Sequence, residues 1–286
     1  MIKNSLLAIG TTARELVKDW RSLGLFNALY AALISALWLF FSTREASAWQ
    51  VVLTALLAVA APVLFFLLQS AGAVRYAWNE APPATLFRKS VKALWKIILI
   101  SVPLILLAVL FAYLLNKLQA RFPVTDTEAA RPALIPVSHP SAAHPPVLPL
   151  RWPDVFIASL RLMLLGVVLP LAAIHLWLAA ARDSFIGTVR RVPQILAHAF
   201  SAQAILIYAV GLILFLLMPY FLIFTRTTVR NAWAELLLFG LRLALAFVFT
   251  LWGWLITVGA LAKTDAKESL SVEERNIEIP PRIIEA

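Results

Sequence analysis

Six long apolar stretches constrain this chain more than any other feature of its sequence. Each is long enough to cross the hydrocarbon core of a bilayer as a helix, which takes about 20 residues. The stretches are continuous, whereas the strands of a membrane barrel alternate in polarity and are about ten residues long. With 62% hydrophobic and 14% charged residues, a chain of 286 residues has too few polar groups to cover a water-soluble fold. We therefore predict an all-α polytopic membrane protein with six transmembrane helices, at about residues 23–41, 49–69, 95–115, 155–181, 204–224 and 236–261.

Basic residues mark one side of the membrane. The net charge is +10, but the cations lie in several loops rather than in one folded patch, so we predict no nucleic-acid partner. Loops rich in Lys and Arg face the cytoplasm, which predicts cytoplasmic N and C termini in a multi-pass protein of a bacterial-type inner cell membrane. Anionic lipid headgroups are the partner that these cations predict. They lie before the first stretch, between the second and third, and between the fourth and fifth: Lys3, Arg14, Lys18, Arg21; Arg75, Arg88, Lys89, Lys92, Lys96; Arg182, Arg190 and Arg191.

The six predicted helices group into three hairpins, each preceded by a cytoplasmic segment with an amphipathic pattern. These segments are residues 12–25, 85–98 and 185–200. Apolar residues spaced three and four apart form one stripe on a helix, and basic residues occupy the rest of its surface. Two interpretations stay open for each segment. It lies flat at the membrane interface, or it extends the following transmembrane helix into the cytoplasm.

Composition divides the chain into four parts. Residues 1–116 hold the first hairpin, the second amphipathic segment and the third apolar stretch, and residues 154–262 hold stretches four to six. Between them, residues 117–153 carry eight of the chain's 17 prolines, which favours an extended extracytoplasmic loop over a folded domain. Residues 263–286 form a polar cytoplasmic tail, predicted to be disordered or docked on another chain. The loop and the tail are the predicted contacts with protein partners.

An internal repeat singles out two arginines and two acids. A shift of 81 positions superposes Trp152 on Trp233, Asp154 on Glu235 and Arg161 on Arg242. Each arginine lies seven residues, or about 10 Å along a helix, inside the acid at the outer end, at a depth where an unpaired charge is costly. The four charged residues are therefore a candidate site for an anionic lipid or substrate. The competing interpretation is that both arginines extend to the outer headgroups.

Histidines supply the remaining candidate ligands. His175 lies near the cytoplasmic end of the fourth stretch and His198 precedes the fifth. Each is either a haem or pigment ligand or a structural histidine that is hydrogen-bonded within the fold. His139 and His144 share the proline-rich loop, but without nearby acids they make a poor metal site. The chain has no cysteine. We predict neither a metal site nor a cofactor.

Catalytic motifs are missing from the sequence. It contains no phosphate-binding glycine loop, zinc-protease motif or nucleophile elbow, and no acid lies in the middle of an apolar stretch to relay protons. The sequence therefore favours a non-enzymatic membrane protein, an accessory or scaffold subunit of a larger membrane complex. The alternative is a transporter or lipid-handling protein that uses the two intramembrane arginines for an amphipathic or anionic substrate.

Overall fold

The computed structural model describes residues 2–43, 47–78, 82–122, 152–225 and 231–277, with side chains described as far as Ala266. All regular structure in these ranges is helical. Six helical segments are long and apolar enough to cross a membrane, which confirms the predicted fold class. They are Trp20–Ser42, Ala48–Trp78, Pro83–Gln119, Trp152–Arg182, Ala202–Phe224 and Ala232–Ala266.

In chain order the helices are numbered α1 to α11, and two of the membrane spans contain a π-helical segment. The first four are α1 (Ile2–Lys18), α2 (Trp20–Ser42), α3 (Ala48–Trp78) and α4 (Pro83–Gln119). The fourth span consists of α5 (Trp152–Arg161), a π segment (Leu162–Val168) and α6 (Leu169–Arg182). Two short helices follow, α7 (Phe185–Arg190) and α8 (Val192–Ala199). The last two spans are α9 (Ala202–Leu212), a π segment (Ile213–Leu217) and α10 (Met218–Phe224), then α11 (Ala232–Ile277).

The first predicted amphipathic segment is not one helix. Asp19 separates α1 from α2, and its side chain accepts a hydrogen bond from the backbone N–H of Ser22 at 3.3 Å. Aspartate favours this position because its carboxylate satisfies an N–H that the first turn leaves free. Leu16 and Leu23 are buried, but Trp20, predicted on the same apolar face, is 69% exposed. The amphipathic helix is instead α1, which begins ten residues earlier, at Ile2.

The other two predicted segments differ from each other. Residues 85–98 are part of α4, so here the amphipathic segment continues directly into the membrane span. Residues 185–200 form α7 and α8, which meet at Arg191, and Pro193 stands in the first turn of α8. The first turn of a helix tolerates a proline, because an N–H group at this position would have no partner within the helix. Ser201 then caps α9 as a separate helix.

Prolines account for the two π segments. Pro170 and Pro219 follow these segments within one or two residues. A proline ring clashes with the carbonyl four residues earlier and offers no N–H to it. The preceding turn widens in response, and a wider turn of this kind is a common way for a long helix to absorb such an interruption.

The chain divides into two compact units. The first contains Met1–Ser101 and Leu171–Ala286, and the second contains Val102–Pro170. In the first unit, α3 is buried on all sides from Leu67 to Val74, and α6 is buried over most of Leu171–Ala181. Two tryptophans in this core have side-chain partners: Trp254 Nε1 donates to Gln69 Oε1 at 2.9 Å, and Trp177 Nε1 donates to Ser101 Oγ at 2.8 Å.

Small residues allow the helices of the first unit to approach closely. A side chain at Gly211 of α9 would overlap Thr257 of α11. One at Gly259 of α11 would overlap Thr12 of α1 and the ring of Tyr76 of α3. Close contact at small residues is the usual way in which membrane helices pack, because lipid gives no hydrophobic drive for their association. Gly259 thus marks the point where α1 and α3 meet α11.

Candidate functional site

A carboxylate lies between two imidazoles at the end of the sixth span. Asp265 of α11 has Oδ2 3.2 Å from Nδ1 of His175 on α6 and Oδ1 2.9 Å from Nε2 of His198 on α8. The two imidazole rings stand edge to face with centroids 5.8 Å apart. Both distances suit a donor nitrogen facing a carboxylate oxygen. Helix α11 therefore meets α6 and α8, which precede it by more than 30 residues, at one largely enclosed carboxylate.

Burial raises the free-energy cost of bringing these polar groups together, because each of them loses water. Burial also strengthens the electrostatic interaction between them. The side chain of His175 is 1% exposed and that of Asp265 is 14% exposed. A charge taken out of water needs an opposite charge or a donor at close range, and each carboxylate oxygen of Asp265 has an imidazole nitrogen within 3.2 Å. On these grounds the cluster holds α11 at Asp265 to α6 and α8.

Neighbouring polar contacts fix the same end of α11 to two further places. Lys263 Nζ lies 2.8 Å from Glu15 Oε2 and 3.2 Å from Thr11 Oγ1, both on α1. The Arg182 guanidinium, at the end of α6, donates to the carbonyl of Ala262 at 3.3 Å. Residues 262–265 thus contact α1, α6 and α8 through polar groups. We call Asp265, His175, His198, Lys263 and Arg182 the anchor cluster.

One nitrogen of the anchor cluster is unused. His175 Nε2 is buried and has no hydrogen-bond partner among the described residues. A metal-bound histidine normally gives its second nitrogen a hydrogen-bond partner. The described part of the chain contains no group of three His, Cys, Asp or Glu side chains that could hold a metal ion. Among the described residues the cluster is a carboxylate held between two imidazoles, and a haem or pigment at His175 or His198 stays a prediction.

A second buried ion pair lies where α1 joins α2. Arg75, at the end of α3, has Nη2 2.7 Å from Asp19 Oδ2, and the two side chains are 10% and 20% exposed. The pair borders a cavity of about 550 Å³ whose lining also includes Glu15, Lys18 and Lys263. Asp19 therefore caps α2 with one oxygen and holds α3 with the other. This double role explains why the chain breaks its helix there.

The predicted arginine site has local partners in each unit. In the second unit, Arg161 Nη2 donates to Asn116 Oδ1 at 2.8 Å and to Gln119 Oε1 at 3.2 Å. In the first unit, Arg242 Nη1 donates to the carbonyl of Thr225. The acids Asp154 and Glu235 lie in the first turns of α5 and α11, where a negative charge is favourable beside the free N–H groups. Each arginine thus donates to amide or carbonyl oxygens at the end of the preceding span, α4 for Arg161 and α10 for Arg242.

The sequence named the histidines but not the acid that joins them. Asp265 is the first acid after the sixth apolar stretch, and nothing in its sequence spacing relates it to residues 67 and 90 positions earlier. The available signal was weak: an acid directly after a membrane span needs a partner if the helix end is packed. His139 and His144 lie outside the described residues.

Fold and site together define a class, that of multi-pass membrane proteins built from six helices. Comparisons with models of protein families, with curated proteins and with solved structures find no match for the chain.

Proposed function

We propose that this protein is a non-enzymatic accessory or scaffold subunit that presents a cytoplasmic docking helix to a larger membrane complex. The observation that carries the proposal is the length of α11, which has 46 residues and continues to Ile277. The span within it ends at Ala266. At 1.5 Å per residue the helix extends about 69 Å, more than twice the hydrocarbon thickness of about 30 Å.

The anchor cluster supports this role because it holds the base of the extension. A helix that leaves the membrane without contacts would pivot at the interface. Here Asp265 contacts α6 and α8, and Lys263 contacts α1, just before the described side chains end. A fixed base lowers the entropy that a partner must remove on binding. This arrangement favours recognition by a protein over a loose tether.

Charge supports a protein partner rather than the lipid surface. Residues 267–286 contain five acids and three bases, in a chain whose net charge is +10. An acidic segment is repelled by the anionic headgroups that attract the basic loops. The extension is therefore expected to project from the leaflet and to meet a partner with a basic surface.

Truncation after Ala266 tests the proposal. The shortened chain keeps every contact of the anchor cluster, so its thermal unfolding midpoint in detergent is expected to match that of the full chain. Stoichiometric partners that co-purify with the full chain in mild detergent are expected to be lost. A second variant replaces Glu268, Glu273 and Glu274 by Gln. It is expected to bind the partner more weakly than the full chain does, in a salt-dependent manner.

Two results would contradict the role. One is a full chain that extracts from native membranes as a solitary, monodisperse protein. The other is a truncated chain that retains all its partners.

The alternative of a transporter receives no support from the arginines. Arg161 and Arg242 each donate to an oxygen at the end of the preceding span, and this contact accounts for both side chains without a substrate. Replacing either residue by Leu tests this alternative directly. Loss of substrate flux with normal expression would revive it.

A further inference from the structure

The exposed surface of α1 has two adjoining stripes of different chemistry. With 100° between successive residues, Ile2, Leu6, Gly10 and Val17 fall within a sector of about 80°. Ile2, Leu6 and Val17 are 64%, 54% and 59% exposed. The adjoining sector carries the exposed cations, which are Lys3, Arg14 and Lys18. We call these two sectors the apolar stripe and the basic stripe of α1.

The opposite side of α1 is packed against the protein. Ser5, Thr12 and Leu16 are buried and form the side that faces α11 and α9. Helix α1 therefore already has its place in the fold, and its apolar stripe is not needed for packing within the chain. Side chains of this size are costly to leave in water, because each exposes a large apolar area.

The position of α1 places these stripes at the level of the membrane surface. Thr12 lies against Gly259, and Glu15 and Thr11 contact Lys263, two residues after the sixth apolar stretch ends at Leu261. At its C-terminal end, α1 is separated by Asp19 alone from Trp20, where the first span begins. Trp20 is 69% exposed and stacks with the Arg21 guanidinium 5.7 Å from its ring centroid. Tryptophan and arginine in this arrangement are typical of the headgroup layer.

The charged residues of α1 indicate which kind of molecule covers the two stripes. Among the described residues, the ion pairs leave Lys3, Arg14 and Lys18 without an acidic partner, since the one acid of α1, Glu15, is paired with Lys263. Gly10 opens a shallow depression of about 550 Å³ between the apolar and basic stripes, lined by Leu6, Lys3 and Arg14 among others. An apolar floor with cations at its rim matches one phospholipid: acyl carbons below and an anionic phosphate above.

We propose that α1 lies in the headgroup layer of the adjoining leaflet, with its apolar stripe in the acyl boundary and its basic stripe on anionic phospholipid. The surface is distinct from the docking extension of α11, although α1 contacts the base of that helix. The lipid composition of the membrane would thereby influence the anchor cluster, through the contact between Glu15 and Lys263.

The absence of cysteine from the chain makes the test direct. Spin labels are attached to the full chain at Leu6→Cys in the apolar stripe and at Asn4→Cys on the polar side of α1. The proteins are reconstituted in nanodiscs of phosphatidylcholine alone or of phosphatidylcholine with phosphatidylglycerol. We expect the label at position 6 to collide more with oxygen than with a water-soluble nickel chelate in the anionic nanodiscs. The label at position 4 is expected to show the reverse order.

Removing the cations of the basic stripe tests whether they bind α1 to anionic phospholipid. Lys3→Gln, Arg14→Gln and Lys18→Gln together are expected to raise nickel accessibility at position 6 at least several-fold in the anionic nanodiscs. The control removes three exposed cations outside α1 (Arg21→Gln, Arg88→Gln and Lys92→Gln) and is expected to leave position 6 unchanged.

Four outcomes would overturn the proposal. Free access of nickel to position 6 in both lipids would place α1 in water. Shielding of position 6 from both oxygen and nickel would assign the stripe to a protein partner, and spin–spin broadening at position 6 would assign it to a second copy of the chain. Shielding that is the same with and without the basic stripe would remove the anionic lipid from the proposal.

Discussion

At the scale of single residues, Asp265 has the largest structural role. It supplies the acceptor for two histidines on two different helices, and its place at the end of a membrane span allows little water to replace either contact. Removing the charge leaves both imidazoles facing a weaker acceptor. A buried ion pair that loses one partner costs more than the pair contributed when intact, because the remaining group stays desolvated.

We therefore expect Asp265→Asn to destabilise the protein by about 1–3 kcal/mol, less than for a fully buried pair because Asp265 is partly exposed. The measurement is the unfolding midpoint in detergent, followed by tryptophan fluorescence. Asp183→Asn is the matched control, since its pair with Arg191 is 37% and 62% exposed and is expected to matter by less than about 1 kcal/mol. Equal effects of the two variants would contradict the special position of Asp265.

Two glycines of α11 show how a single Cβ atom can decide whether a neighbouring helix lies close. Gly259 lies against Thr12 and Tyr76, whereas nothing lies within 4 Å of a side chain built at Gly240 of the same helix. Gly259→Ala is expected to destabilise the protein by about 1–3 kcal/mol, because α1 and α3 would have to move apart. Gly240→Ala is expected to be neutral or slightly stabilising, because alanine is the better helix former. Comparison of the two unfolding midpoints checks the prediction, and a neutral Gly259→Ala would refute the close crossing.

At the scale of elements, the sequence predicted the existence of each span better than its ends. The third apolar stretch was predicted at 95–115, but α4 is Pro83–Gln119. The sixth was predicted at 236–261, but α11 extends to Ile277. Hydropathy reports where a helix is in lipid. It does not report where the helix ends, because polar residues continue a helix as readily as apolar ones once its backbone hydrogen bonds are in place.

Breaks within elements were harder to predict than spans. The break at Asp19 requires the residue to satisfy both the N–H of Ser22 and the Arg75 guanidinium. The first contact is local and is readable as an N-cap signal. The second joins positions 56 residues apart, and the amphipathic pattern continues through the break. An uninterrupted pattern therefore concealed an interrupted helix.

At the scale of the whole molecule, an even number of candidate spans predicts that both termini lie on one side of the membrane. The distribution of Lys and Arg predicts that this side is the cytoplasm. Single cysteines at Asn4 and at Ser138 of the proline-rich loop test the topology in intact cells. An impermeant maleimide is expected to label position 138 directly and position 4 only after the membrane is permeabilised. Labelling of both positions in intact cells would overturn the topology.

The sequence by itself determined that this protein is a bundle of membrane helices and which residues are polar enough to need partners. Apolar length is a local property, and the bilayer converts it into helices because backbone groups in lipid must be satisfied within each segment. Only the tertiary structure decided which partners those residues have: Asp265 with His175 and His198, Asp19 with Arg75, and each arginine of the repeat with an oxygen at the end of the preceding span. These pairings depend on how the helices cross, and the crossings are set by close contacts at residues such as Gly211 and Gly259, whose spacing along the chain has no period that a sequence pattern can reveal.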